Sequence, residues 1–168
     1  MHEQSQDCGD GRDLESAYNK GNIPVNLELI AEELGILVRH GKINNDVSGV
    51  IFKEGTETVI GINEGEPPER QRFTLSHEIG HFVLHRERDL CVTSQRLFRK
   101  PASGDFREME ANAFAAELLM PKQAIENAVL KLSADEVVSK VSELAKTFGV
   151  SEQAMTYRLA NLQLFPMS

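Results

Sequence analysis

Thr74-Leu75-Ser76-His77-Glu78-Ile79-Gly80-His81-Phe82 contains the pattern H-E-x-x-H. Around it, Leu75, Ile79, Phe82 and Val83 recur at helical spacing after Pro67-Pro68, which predicts a helix running to about His85. Positions i and i+4 stack on a helix, so the imidazoles of His77 and His81 can reach one metal ion together. Zinc suits such a pair, at about 2.0–2.1 Å per nitrogen. Glu78 is rotated round the helix, where it meets the metal's water and not the metal. Zinc lowers the pKa of a bound water to roughly 7, and a carboxylate beside it can take the proton and later pass it to a leaving amine. The chemistry implied is hydrolysis of a peptide bond with no covalent intermediate. Two unrelated surface histidines account poorly for the pattern, since chance produces it in on the order of a per cent of such chains. Gly80 costs about 1 kcal/mol relative to Ala inside a helix, which points to a backbone or ligand passing close to that face.

A catalytic zinc has three protein ligands and an open position, so a third donor must come from outside the motif. The segment Glu108-Met109-Glu110-Ala111-Asn112 opens a helix expected over about Phe106 to Met120, stopped by Pro121, with Phe114, Ala115, Leu118 and Leu119 on its buried face. Glu108 can ligate the metal, and Asn112, one turn on, can accept a hydrogen bond from the non-ligating nitrogen of a metal histidine and so fix its tautomer. Glu110 and His85 are the rival third ligands.

Working outward, Leu27, Ile30, Ala31 and Leu34 predict a helix that stops at Gly35. Short β-type runs follow at 36–39, 48–53 and 58–63, the last two joined through Glu54-Gly55-Thr56-Glu57 as a hairpin, which predicts a small, mainly antiparallel sheet. Beyond Pro121 the chain reads as helical, in segments to about Leu132, from Ala134 to Phe148 and from Glu152 to Gln163, with a turn at Gly149-Val150-Ser151. The fold class expected is α+β. Its organisation is a flexible leader over 1–13, a peptidase domain over 14–130 and a C-terminal helical extension over 131–168 packed on it.

The 168 residues are 40% hydrophobic and 26% charged, the balance of a soluble globular chain of about one domain. No apolar run approaches the roughly 20 residues that span a bilayer, and Met1 to Asp13 lack the apolar core of a secretory signal, so the expectation is a cytoplasmic protein. Cys8 and Cys91 have neither disulfide nor metal-pair spacing and read as reduced thiols. A formal charge of -8 disfavours nonspecific binding to nucleic acid or anionic membrane.

The run from Arg72 to His85, followed by Glu108-Met109-Glu110-Ala111-Asn112-Ala113-Phe114-Ala115-Ala116-Glu117-Leu118-Leu119-Met120-Pro121, resembles the ImmA/IrrE family of zinc peptidases. The likeness extends weakly over about residues 23–164, leaving out the leader and the stretch at 86–105. It implies a minimal gluzincin-like fold, one zinc per chain with Glu108 as a ligand, and a regulatory role. It further implies a protein substrate, a helix-turn-helix repressor whose cleavage releases genes of a mobile element or a stress response. In the wider gluzincin pattern the position of Asn112 is often Asp, so the acceptor is kept here without its charge. The resemblance also implies that an edge strand beside the metal, taken to be 58–63, holds extended substrate. No oxyanion stabiliser matches a motif; Tyr18, His85 and Tyr157 are the candidates.

Two other function classes compete. Leu144 to Ser151, followed by Ala154, Met155, Tyr157, Arg158 and Leu159, has the cadence of a helix-turn-helix, but its second helix offers Glu152 against Arg158 and little charge for phosphates. DNA contact is therefore not the expectation. A zinc-bearing sensor or partner-binding module with little proteolysis is the other, against which Glu78 argues, because a structural zinc site needs no general base. Arg86, Arg88, Arg96, Arg99, Lys100 and Arg107 could attract an acidic substrate segment.

Overall fold

The computed structural model describes residues 14, 16, 21–44, 46–85 and 106–165. The leader over 1–13, Cys8, Tyr18, Cys91 and the basic residues Arg86, Arg88, Arg96, Arg99 and Lys100 lie outside the described residues.

Helix α1 (Leu27–Glu33) begins where the Asn26 side chain accepts the Leu29 N–H at 3.1 Å, and it buries Leu27, Ile30 and Ala31. Strands β1 (Ile36–Gly41), β2 (Gly49–Glu54) and β3 (Glu57–Asn63) follow and form one sheet in the order β1-β3-β2. The hairpin is present, with Glu54 opposite Glu57 so that Gly55-Thr56 makes a two-residue loop. The sheet is mixed, however, and not mainly antiparallel, because β1 pairs parallel to β3 from Ile36 opposite Thr58 to Gly41 opposite Asn63. The chain comes back into β2 across the end of β3, at Val47 and Ser48. Asn63 fastens it there, donating its backbone N–H to the Ser48 carbonyl at 2.9 Å and its side-chain amide to the Val47 carbonyl at 3.0 Å. Hairpin signals say which strands neighbour each other in sequence but not on which side an earlier strand falls.

The central position of β3 also corrects the expectation that 58–63 is a substrate-binding edge. It is buried from Thr58 to Asn63 and paired on both sides. Among the described residues the open edges belong to β1 and β2. Of these, β2 abuts the next helix directly, since a Cβ added at Gly49 would collide with Thr74 Cγ2.

Helix α2 (Pro68–Leu84) opens with Pro at its first position, where a missing N–H costs nothing. Every residue from Thr74 to Gly80 is buried, so His77 lies within a segment enclosed all round, while His81, just past it, keeps a partly open side. The enclosure comes from β2 and β3 on one side and from helix α3 (Phe106–Leu119) on the other. α2 and α3 meet at Gly80, where a Cβ would stand 2.9 Å from Phe114 Cδ1 and 3.4 Å from Ala111 Cα. The close approach is made by a neighbouring helix.

The C-terminal helices are α4 (Lys122–Val129), α5 (Ala134–Ser139), α6 (Val141–Phe148) and α7 (Glu152–Asn161). The segment expected as one helix over 134–148 is thus two. Ser133 and Glu136 form a capping box that starts α5, and at Lys140 (φ -100°, ψ 5°) the backbone leaves the α region. The break lets Val137 on α5 and Leu144, Ala145 and Phe148 on α6 all face inward. One hydrophobic cluster joins them to the rest, taking in Ile30, Ile60, Ile79, Leu118, Phe148 and Leu159. Two arginines reinforce the contact. Arg72 on α2 donates from Nε to the Gly149 carbonyl at 3.1 Å and from its terminal nitrogen to the Val25 carbonyl at 2.8 Å. Burial pulls its pKa below the ordinary arginine value, partly offset by Glu28. Arg158 on α7 donates to the Met120 carbonyl at 3.0 Å and pairs with Glu117. No helix among the described residues is long and apolar enough to cross a membrane.

Helix propensity alone favours Gly80→Ala by about 1 kcal/mol, whereas forcing a methyl against Phe114 costs about 1–3 kcal/mol. The expected net result is a lower midpoint in urea unfolding. A raised midpoint would show that α2 and α3 have room to spare at this point.

Candidate metal centre

α2 and α3 each contribute a pair of side chains one turn apart, His77 with His81 and Glu108 with Asn112. Because the helices cross closely at Gly80, the pairs face each other. His81 Nε2 lies 3.0 Å from His77 Nε2, and the Glu108 carboxylate lies 3.3 Å from His77 Nε2 and 3.0 Å from His81 Nε2. Three atoms held about 2.0–2.1 Å from a common centre at tetrahedral angles stand roughly 3.3–3.4 Å apart, so the donors have the spacing of a metal site. They form the one group of three His, Cys, Asp or Glu among the described residues that could hold an ion.

Orientation comes from the opposite face of His77. Its Nδ1 lies 3.0 Å from Asn112 Oδ1. An amide oxygen can only accept, so the proton sits on Nδ1 and the Nε2 lone pair is left for the cluster. The Phe73 ring lies against the His77 ring, with centroids 6.3 Å apart and planes 29° apart. The His77 and His81 rings meet edge to face at 4.6 Å. His77 is fully buried, while the side chains of His81 and Glu108 are 13% and 28% exposed. The cluster is therefore reached from the Glu108 side. The His77 imidazole, and after it that of His81, hold the Glu108 carboxyl well below the usual carboxylate range, against the opposing effect of its partial burial. An anionic carboxylate and two imidazole nitrogens are the donor set of a closed-shell divalent ion such as zinc.

Glu78 is 2% exposed and sits beside His77 in the buried stretch. The rival ligands are not in that group of three: His85 Nε2 is 3.8 Å from Glu110 Oε2, and its ring packs 5.5 Å from that of His81. Tyr157 is 60% exposed and lines a cleft with Phe73 and Asn112, away from Glu108. Phe73 was not singled out in the sequence, although it lies one turn before His77 on the same helix.

Residues 31–160 match the peptidase family model described as the IrrE N-terminal-like domain. The chain belongs to this ImmA/IrrE family. It is a metallopeptidase family, and two of the relatives below carry the description metalloprotease. The radiation response metalloprotease IrrE of Deinococcus radiodurans is 34% identical over 109 residues, covering 65% of this chain and 33% of that protein. The same-named protein of Deinococcus deserti is 35% identical over 102 residues, covering 61% of this chain and 36% of its own length. An uncharacterized immunity region protein of Bacillus phage phi105 is 32% identical over 93 residues, covering 55% of this chain and 56% of that one. The chain thus spans about a third of the length of the IrrE proteins it matches. In fold it is similar to a Mycobacterium tuberculosis transcriptional regulator, with a TM-score of 0.59 and 19% identity over 95% of this chain and 48% of that one.

Asn112→Ala would leave a buried imidazole N–H without its acceptor and the ring free to turn. Loss of such a partner costs typically 10–100-fold in metal affinity. Zinc affinity measured by chelator competition should fall by that factor in Asn112→Ala and hold within a few-fold in Asn112→Asp, which keeps the acceptor. Equal loss in both variants would remove Asn112 from its orienting role.

Proposed function

We propose that the chain is a zinc-dependent endopeptidase of regulatory type, with His77, His81 and Glu108 as metal ligands and Glu78 as general base. The observation that supports this best is the convergence of two imidazole nitrogens 3.0 Å apart on one carboxylate, whose oxygens lie 3.3 Å from His77 Nε2 and 3.0 Å from His81 Nε2, with the tautomer of His77 set by Asn112. Zinc, when bound, supplies Lewis-acid activation of a water molecule and of the scissile carbonyl. Glu78 takes the proton of the attacking water and delivers it to the leaving amine. Its burial against the enclosed helix keeps competing solvent from that proton. Asn112 and Phe73 hold His77 in place while His81 and Glu108 face the open side. Of the two open sheet edges, β2 touches α2 at Thr74, one turn before His77, and is the edge we assign to extended substrate.

The substrate we favour is a helix-turn-helix repressor cut in the cytoplasm. Support comes from the family, from a phage immunity-region relative and from the fold shared with a transcriptional regulator. Residues 14–130 serve as the catalytic body and 131–168 as an extension braced against it through Arg72 and Arg158. The DNA-binding reading of that extension gains nothing from the geometry. Arg158 is the single cation of α7, and it is engaged by Glu117 and the Met120 carbonyl.

Glu78→Gln should bind zinc as the parent does and lose about 10²–10⁴-fold in cleavage, since the amide cannot accept the water's proton. With a repressor encoded beside its gene as substrate, the parent enzyme should cut at one site and leave casein largely intact, read by mass spectrometry of the fragments. An intact repressor alongside casein degraded at many sites would make the chain a general peptidase, and undiminished cleavage by Glu78→Gln would take Glu78 out of the mechanism.

A further inference from the structure

The groove between α2 and α3 does not end at the donor cluster. Beyond Asn112, away from Glu108, it widens into a cavity of about 440 Å³ closed on its third side by α7. Phe73, Ala116 and Met120 line one wall, and Val150, Ala154 and Tyr157 line the other. That volume falls within the roughly 300–1,000 Å³ of small-molecule sites, which are mainly apolar with a few placed polar groups.

Two features define what would fit. Both guanidinium groups at the rim are already matched within the protein, Arg70 lying 3.2 Å from Glu66 and Arg158 paired with Glu117, so an anionic occupant would lose water without gaining a counter-charge. Asn112 also lines the cavity, and with its Oδ1 bonded to His77 Nδ1 its amide N–H groups are what it can offer an occupant. We propose that this cavity is a regulatory site for a small, neutral, ring-containing molecule bearing a hydrogen-bond acceptor. The ring packs among Phe73, Met120 and Ala154, and the acceptor takes an N–H of Asn112. Holding that amide in place also holds His77, through Asn112 Oδ1 on one side and Phe73 on the other. Occupancy therefore strengthens metal binding, and by linkage metal strengthens occupancy by the same factor.

The binding half stands without the peptidase proposal, and the coupling half rests on its metal site. Acetanilide, a neutral aryl amide, serves as the probe. In methyl and amide NMR of the metal-free protein, millimolar acetanilide should shift Ala116, Val150, Ala154 and the Asn112 side-chain amide, while benzoate, charged and of similar size, should not. Ala154→Leu and Ala116→Leu, which fill the cavity from opposite walls, should each abolish the shifts with the remaining core resonances still dispersed. Acetanilide should then raise zinc affinity, measured by chelator competition, by at least about 5-fold in the parent and not in the filled variants. Unmoved cavity resonances, shifts that survive in a folded filled variant, or equal binding of benzoate would overturn the site. Binding at the cavity with zinc affinity unchanged would overturn its regulatory role while leaving the peptidase proposal untouched.

Discussion

The approach of α3 to α2 is set at Gly80, where the missing side chain lets Ala111 Cα and the Phe114 ring lie against the backbone of α2. A one-turn pair on each helix is useful only at that separation. Glu108 reaches both histidines, and Asn112 reaches the far side of His77, because no side chain at position 80 pushes the helices apart. The same contact helps to bury His77 and Ser76 among apolar neighbours, which is costly unless each polar atom is satisfied. Ser76 Oγ donates to the Phe73 carbonyl at 2.9 Å and His77 uses both ring nitrogens. The donor cluster and the core are therefore one construction. A fault in packing at Gly80 becomes a fault in the geometry of the cluster.

The C-terminal helices belong to that construction. Arg72 ties α2 to the turn after α6, and Arg158 ties α7 to the end of α3, so both helices that carry the cluster are gripped from the same side. Spending the Arg158 charge inside the protein makes α7 a brace more than a reader of phosphates. It also shapes the cavity next to Asn112, since α7 stands off from Phe73 and Ala116 there and does not fill the groove.

Much of this was legible in the sequence where the signal was local. H-E-x-x-H, the one-turn spacing of Glu108 and Asn112, the Gly35 boundary and the Gly55 loop each state a geometry within a few residues. What escaped depended on distant parts of the chain. The parallel partnership of β1 goes with the return of the chain past Asn63 at Val47 and Ser48, and the central place of β3 follows from it. The break at Lys140 arises because Val137 and Phe148 must reach the same core from different helices. The apolar stripe on α2 is only part of what is buried there, because a helix clasped between a sheet and another helix hides its polar residues as well. Gly80 gave a correct warning of close approach without saying what approaches.

The central claim is that His77, His81 and Glu108 hold one zinc ion. X-ray absorption at the zinc edge, on protein carrying one zinc per chain by elemental analysis, reads that coordination directly. The account predicts two imidazole ligands and oxygen donors at about 2.0–2.2 Å, with one imidazole lost in His81→Ala and the spectrum altered by Glu108→Ala but not by Glu110→Ala. A spectrum with sulfur ligands or a single imidazole, or one changed by Glu110→Ala and unmoved by Glu108→Ala, would contradict it.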